Sequence, residues 1–220
     1  MVSFSAILAA VALIPGAFTA PAKFVQLEKS DTTGLLAATF WTSWSEGGSN
    51  VRCTNGQGGS YSTSWSGRGG FVCGKGWSRG GSMTVNYSGT YNATGPGYLA
   101  LYGWTRSPLI EYYVVESYDI LAPGEPWTLK GQFDSEEGTY EVYTSTRVNK
   151  PSIEGTRTFQ QYWSVRTEKR VGGTITTGKH FSEWQKLGMG LGYHDYMVLA
   201  TEGFTNGTKT SSGSSNINVQ

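Results

Sequence analysis

Residues 108–116 read PLIEYYVVE, and this stretch has the side-chain alternation of a β-strand. Because successive side chains of a strand point to opposite faces, Glu111 and Tyr113 share one face. The other face carries Ile110, Tyr112 and Val114, which are apolar or aromatic. We expect that second face to lie in the core, so the first face, with a carboxylate among aromatic residues, is the unusual one.

The same kind of segment recurs from residue 39 to the C-terminus. Runs rich in Tyr, Trp, Val and Thr alternate with Gly, Ser and Asn turns: TFWTSWS, VRCT, SYSTSW, FVCGKGW, SMTVNYSGTYN, YLALYGW, IEYYVVES, WTLKGQFD, TYEVYTSTRV, TFQQYWSVRT, GTITT, YMVLATEGF and SSNINV. So many short strands predict a sandwich or barrel of antiparallel sheets. One segment, KHFSEWQKLGMGL at 179–191, has a helical period instead and predicts a short helix ending near Gly188.

The composition excludes several classes of protein. The 220 residues include 31 Gly, 8 Trp, 13 Tyr and 9 Phe, and only 15% are charged. The glycine content argues against a helical bundle, and the aromatic content argues against disorder. With 17 Lys and Arg against 16 Asp and Glu, no basic surface for nucleic acid or for an anionic membrane is expected.

The N-terminus predicts a secreted protein. An apolar run at 4–14 is broken by Pro15 and Gly16, as in a signal peptide, although no Lys or Arg precedes it. The run is too short to span a membrane. We expect a signal peptide at 1–19, a pro-segment or loose arm at 20–38, and one domain at 39–220. Three N-x-S/T sequons agree with passage through a glycosylating pathway, at Asn86, Asn92 and Asn206.

Cys53 and Cys73 are the only cysteines. In an oxidising compartment an even count predicts one disulfide, and two buried free thiols are the alternative. Cys73 has the opposite parity to Gly70, which places the bridge away from the Gly70 face. The two histidines, His180 and His194, do not predict a metal site, and we expect no cofactor.

A second carboxylate shares a strand face with a tyrosine near the C-terminus. In YMVLATEGF, at 196–204, alternation puts Tyr196 and Glu202 on one face. Two carboxylates on aromatic strands indicate a glycosidase, in which one acid protonates the leaving oxygen and one carboxylate attacks the anomeric carbon. The alternative is that each Glu faces solvent or pairs with an Arg, and the pattern alone leaves both interpretations open.

Four segments, GFVCGKGW, PLIEYYVVES, RVNKPSIEGTRTFQQYWSVR and ATEGF, together resemble the glycoside hydrolase family 11 endo-β-1,4-xylanases of fungal type. The similarity runs from about Phe40 to Val219. It implies an all-β jelly roll of two curved antiparallel sheets with one short α-helix, likened to a half-closed right hand. By position, Glu111 matches the family's nucleophile and Glu202 its acid/base, acting with retention of configuration.

The resemblance also implies a substrate cleft. Residues that stack on or hydrogen-bond to xylose would be Trp44, Tyr102, Tyr113 and Tyr196, with Arg147 and Gln161 as further cleft residues. The tip of a thumb would close over the substrate with Pro151, Ser152 and Ile153. Alternation agrees, since Gln161 shares a face with Phe159 and Trp163, and Tyr102 shares one with Tyr98 and Trp104.

The implied substrate is xylan, because a narrow aromatic cleft would exclude glucose by its C6 hydroxymethyl group. An open-ended groove would cut inside chains. The expected partners are xylan or xylo-oligosaccharides and plant xylanase-inhibitor proteins, with the enzyme as a monomer.

The sequence departs from the family at Gly70, a pH-modulating position usually held by Asn or Asp, where water is the expected neighbour. It also departs at Glu154 in the thumb and at the cysteine pair. A carbohydrate-binding jelly roll without catalysis, or a plant elicitor acting through exposed loops, are the competing interpretations.

Overall fold

The computed structural model describes residues 37–121 and 126–220. The expected signal peptide (1–19) and all but the last two residues of the expected arm (20–38) lie outside the described residues. Ala38, at the end of that arm, is buried in the core. The described ranges hold thirteen strands and one helix: β1 (Phe40–Ser45), β2 (Ser49–Asn55), β3 (Ser60–Gly67), β4 (Phe71–Trp77), β5 (Thr84–Thr94), β6 (Gly97–Arg106), β7 (Ile110–Tyr118), β8 (Thr128–Ser135), β9 (Gly138–Ser152), β10 (Gly155–Arg166), β11 (Gly173–Thr176), α1 (Thr177–Lys186), β12 (Tyr193–Gly203) and β13 (Ser211–Val219).

The strands form two sheets, as the sequence predicts. The large sheet has the order β1-β4-β12-β6-β7-β10-β9-β8, and the small sheet has the order β11-β5-β13-β3-β2. The jelly roll is antiparallel throughout except that β7 and β10 are parallel. This exception arises because β8, β9 and β10 form a meander at the sheet edge, whose third strand folds back beside β7.

Both faces of the large sheet are packed. The face toward the small sheet, here called the inner face, carries Leu101 and Leu199. These residues pack with residues of the small sheet such as Ile217, and all three are buried. The opposite face carries a second cluster of buried apolar and aromatic side chains, among them Tyr113 and Trp163. A strand with two buried faces reads as nearly continuous burial, and β6 is buried from Gly97 to Thr105.

A disulfide joins the two sheets, between Cys53 on β2 and Cys73 on β4. The predicted pairing is therefore confirmed, and the alternative of two free thiols is wrong. Cys73 is fully buried beside Trp65 and Phe71. It lies on the inner face of the large sheet, since it pairs with Thr201 and not with Glu202.

The predicted helix forms at Thr177–Lys186 and packs against the inner face of the large sheet. The Trp184 indole donates a hydrogen bond to the Ser164 hydroxyl at 2.9 Å. The helix ends at Lys186, next to the predicted end near Gly188, where the chain turns with a φ of +75°. No helix in 37–121 or 126–220 is long and apolar enough to cross a membrane.

Candidate active site

The central strands of the large sheet place both candidate carboxylates on one face, here called the groove face. Glu111 on β7 pairs with Trp104 on β6 and with Gln161 on β10, so these side chains share that face. Glu202 on β12 pairs with Tyr98 on β6, which has the same parity as Trp104. The alternation inferred for both Glu strands is therefore confirmed.

The two carboxylates are hydrogen-bonded to tyrosines that contact each other. On β6, the partner of Glu202 is Tyr98 and the partner of Glu111 is Trp104. These two partners are six residues apart, which is about 20 Å along a flat strand. Yet the Tyr98 hydroxyl donates to Glu202, and the Tyr98 ring lies 5.6 Å from the ring of Tyr113, whose hydroxyl donates to Glu111. A single contact between two tyrosine rings therefore connects the two carboxylates on the groove face.

Glu111 is buried and accepts three hydrogen bonds. The hydroxyls of Tyr102 and Tyr113 both donate to Oε1 at 3.0 Å, and the Gln161 amide donates to Oε2 at 2.6 Å. The pKa of Glu111 is raised above its usual value because burial outweighs the three donors and the charge of Arg147, which lower it. Because donated hydrogen bonds favour the ionised form, they hold a negative charge at this buried position.

Glu202 has a different environment. Its Oε1 accepts one hydrogen bond, from the Tyr98 hydroxyl at 3.1 Å. Burial raises the pKa of Glu202 to about 8, and the charge of Glu111 contributes to the rise. Near neutral pH this carboxyl is therefore protonated, while Glu111 is the one stabilised as a carboxylate. One acid and one nucleophilic or stabilising carboxylate on a shared face of the sheet can perform general acid catalysis on a bond held between them.

Glu116, also on β7, is a structural carboxylate that pairs with an Arg, which is the alternative role described above for a Glu on these strands. It has no exposed surface, forms an ion pair with Arg170, and accepts hydrogen bonds from the hydroxyls of Tyr87 (2.8 Å) and Tyr140 (2.6 Å). It lies on the inner face of the strand, opposite to Glu111. The two Glu residues of this strand therefore lie on opposite faces, as alternation places them, and only Glu116 is neutralised by an Arg ion pair.

Aromatic rings line the groove face around the carboxylates. Tyr113 stacks on Trp163 with centroids 3.9 Å apart and planes 5° from parallel. Tyr102 accepts a hydrogen bond from the Trp104 indole at 2.6 Å and lies 6.0 Å from the Tyr196 ring. Because Tyr113 and Trp163 are buried, a sugar ring would stack on more exposed rings such as Trp44.

The remaining predicted cleft residues lie around this centre. Trp44 lies in the same register row as Glu202, through Val72, and is 47% exposed. Arg147 pairs with Phe159, which belongs to the cluster of buried side chains around Tyr113 and Trp163, here called the groove-face cluster. The charge of Arg147 lowers the pKa of both candidate carboxyls.

The predicted thumb is a hairpin of β9 and β10, which we call the thumb hairpin. Pro151 pairs with Thr156 across it, and Ser152 pairs with Gly155, where φ is +79°. Ile153, at the tip, packs against the groove-face cluster.

The environment of Gly70 differs from the prediction that water would be its neighbour. A side chain at Gly70 would meet the carboxyl group of Glu46, with its Cβ 3.2 Å from Oε1. The two residues are also joined by a hydrogen bond from the Glu46 amide to the Gly70 carbonyl, at 3.0 Å. A carboxylate from the end of β1 thus occupies the space beside Gly70.

Two contributors to the site are not assigned by the sequence. Alternation places Tyr98 on the correct face, but its hydrogen bond to Glu202 depends on the pairing of β6 with β12. Ser145 donates to the Gln161 side-chain carbonyl at 2.9 Å and thereby directs the amide toward Glu111. Its signal is the pairing of β9 with β10, which a single sequence does not reveal.

Comparisons with known proteins agree with this architecture. The family model described as glycosyl hydrolases family 11 matches residues 37–218. "Ethylene-inducing xylanase 1" of Botryotinia fuckeliana is 50% identical over 224 residues, covering all of this chain and 78% of that protein. "Endo-1,4-beta-xylanase 2" of Humicola insolens is 46% identical over 230 residues, covering all of this chain and 99% of that protein.

A solved structure from a study of two major endo-1,4-beta-xylanases of Trichoderma reesei superimposes with a TM-score of 0.76. It is 38% identical and covers 84% of this chain and 99% of the solved chain. The family model spans both candidate carboxylates and the thumb hairpin, and full-length relatives approach half identity. This chain belongs to glycosyl hydrolase family 11.

Proposed function

We propose that this protein is a secreted endo-1,4-β-xylanase that hydrolyses internal β-1,4-xylosidic bonds of xylan with retention of configuration. The observation that carries the proposal is the asymmetry of the two carboxyls. Glu111 is held as a carboxylate by three donated hydrogen bonds, whereas Glu202 has one such bond and a pKa raised to about 8. Family membership and the names of the relatives support the choice of substrate.

In the first step, the Glu111 carboxylate attacks the anomeric carbon while Glu202 gives its proton to the departing glycosidic oxygen. The bond from the anomeric carbon to that oxygen breaks as the bond to the Glu111 oxygen forms. In the second step, Glu202, now ionised, takes a proton from water as the water oxygen displaces Glu111. Two displacements at one carbon leave the configuration unchanged.

The pKa values are suited to this cycle. While Glu111 is ionised, burial and the charge of Glu111 together keep Glu202 protonated and ready to act as the acid. Once Glu111 carries the sugar as a neutral ester, that charge is gone and the pKa of Glu202 falls, so that it can act as a base.

The groove supports xylan as the ligand. The exposed Trp44 offers a flat apolar face, while the hydroxyls near Glu111 offer polar contacts. Pentose rings lack the C6 hydroxymethyl group and suit a groove lined so closely by rings. Secretion is supported by the apolar N-terminal run and by the disulfide.

Release of reducing sugar from xylan tests the proposal. Glu111→Gln and Glu202→Gln should each lower turnover by orders of magnitude, while binding of xylo-oligosaccharides persists, because both groups act on the transition state. Glu183→Gln is the matched control, since Glu183 pairs with lysines on the helix, away from the groove face. Wild-type activity that survives in Glu111→Gln would refute the assignment.

A second role is suggested by a relative that carries the name "Ethylene-inducing xylanase 1". We propose that this protein also elicits a plant response through exposed loops. Ethylene release from leaves treated with Glu111→Gln separates the roles: an undiminished response supports elicitation independent of catalysis, and a lost response argues against it.

A further inference from the structure

One arginine links the tip of the thumb hairpin to the body of the large sheet. Arg106 lies at the end of β6, on the groove face, two residues beyond Trp104. Its Nη1 donates to Glu154 Oε1 at 3.0 Å, and its Nε donates to Asp195 Oδ2 at 2.8 Å. We call these three residues the latch.

The thumb side of the latch is rigid at its tip. The Ser152 hydroxyl donates to the Gly155 carbonyl at 2.6 Å and accepts from the Glu154 amide at 3.0 Å. This turn fixes Glu154 relative to its neighbour Ile153, which packs against the groove-face cluster. Holding the Glu154 carboxylate therefore also holds Ile153 over the groove.

Asp195, on the opposite side of the latch, is held by contacts with the backbone. Asp195 Oδ1 accepts from the Tyr196 amide at 2.9 Å, and the Asp195 carbonyl accepts from the Gly80 amide at 2.6 Å. Tyr196 stacks on Phe40 with centroids 5.3 Å apart. A continuous chain of polar contacts thus runs from the thumb tip to a ring that lines the groove.

We propose that Arg106 is a positioning residue that holds the thumb hairpin closed over the groove by pairing with Glu154. The part of this inference that concerns catalysis rests on the proposed xylanase function. When the pair breaks, the closed thumb is less populated, and the apparent affinity for substrate falls in proportion to the closed fraction. Product release becomes faster at the same time, because lids of this kind gate release.

The size of the effect follows from the exposure of the latch. The side chains of Arg106, Glu154 and Asp195 are 44%, 32% and 28% exposed. Ion pairs at this exposure change an equilibrium by about 1.5- to 5-fold and weaken in salt. We expect KM for xylo-oligosaccharides to rise by that factor without a fall in kcat.

The test is a double-mutant cycle with Arg106→Gln, Glu154→Gln and the double variant. Glu154→Gln breaks the thumb contact and leaves the Arg106–Asp195 pair intact, so it tests the latch even where Arg106→Gln disturbs the fold. Arg157→Gln is the matched control, because Arg157 is an exposed thumb residue whose guanidinium donates to its neighbour Thr156. Two quantities are measured: KM and kcat in low and high salt, and amide hydrogen exchange over 149–157 without substrate.

The latch predicts that each single variant raises KM and speeds amide exchange in the thumb hairpin, and that the double variant is no worse than the single variants. Added salt should raise KM only in proteins that keep the Arg106–Glu154 pair. The control should match wild type. KM changes that add in the double variant, or thumb exchange that stays at the wild-type rate, would overturn the latch. A wild-type protein inactive on xylan would overturn the proposed function instead, and the exchange measurement would still decide the latch.

Discussion

Replacing Gln161 by Leu should make the enzyme fail in acid while it recovers at higher pH. The Gln161 amide donates to Glu111 Oε2 at 2.6 Å, and its orientation is set by the Ser145 hydroxyl. A hydrogen bond to a charged group contributes about 1.5 to 3 kcal/mol, which is roughly 10- to 100-fold in an equilibrium. Since the bond favours ionised Glu111, its loss raises the pKa of Glu111 and leaves less carboxylate at a given pH.

The assay is the pH profile of kcat/KM, whose acid and basic limbs report the pKa values of the essential carboxyls in the free enzyme. On the acid side kcat/KM should fall about 10- to 100-fold and should recover as the pH rises, so the acid limb moves to higher pH. Gln160→Leu is the control, because Gln160 lies on the other face of β10 and bonds to Thr144 and Thr146. A loss of equal size at every pH, or an unmoved acid limb in a stably folded variant, would refute the reasoning.

Further predictions concern the acid/base carboxyl, the disulfide and Gly70. Tyr98→Phe removes a donor to Glu202, so the pKa of Glu202 should rise and the basic limb of kcat/KM should move to higher pH; a limb that moves lower contradicts this. Replacing Cys53 and Cys73 by Ala opens a bridge between residues 20 apart, which should cost about 3 kcal/mol of stability and lower Tm by roughly 6 to 12 °C; an unchanged denaturation midpoint argues against it. Gly70→Asp should have a lower Tm than Gly70→Asn, and the difference should grow as rising pH ionises the new carboxyl beside that of Glu46; identical Tm curves would count against that reasoning.

The strand pattern is readable from the sequence because β-strands alternate strictly. Alternation assigns Glu111 and Glu202 to aromatic faces, and the structure places both on the groove face of the large sheet. The bridge between Cys53 and Cys73 follows from their number and the expected compartment. These inferences need only local periodicity or composition.

Contacts between distant segments cannot be predicted in this way. Alternation gives the face of a strand, but it does not give the neighbouring strand, so it does not reveal the parallel pairing of β7 with β10. Glu46 reaches Gly70 only because β1 pairs with β4. The contact of Arg106 with Glu154 likewise depends on how the thumb hairpin folds over the sheet.

The most direct test of the roles given to Glu111 and Glu202 is the configuration of the first product. Proton NMR of xylo-oligosaccharide hydrolysis, followed from the first minutes, separates the two anomers before mutarotation mixes them. If Glu111 forms a covalent intermediate that water then displaces, the β-anomer appears first and the α-anomer grows only later. Early release of the α-anomer would show inversion and would contradict the mechanism.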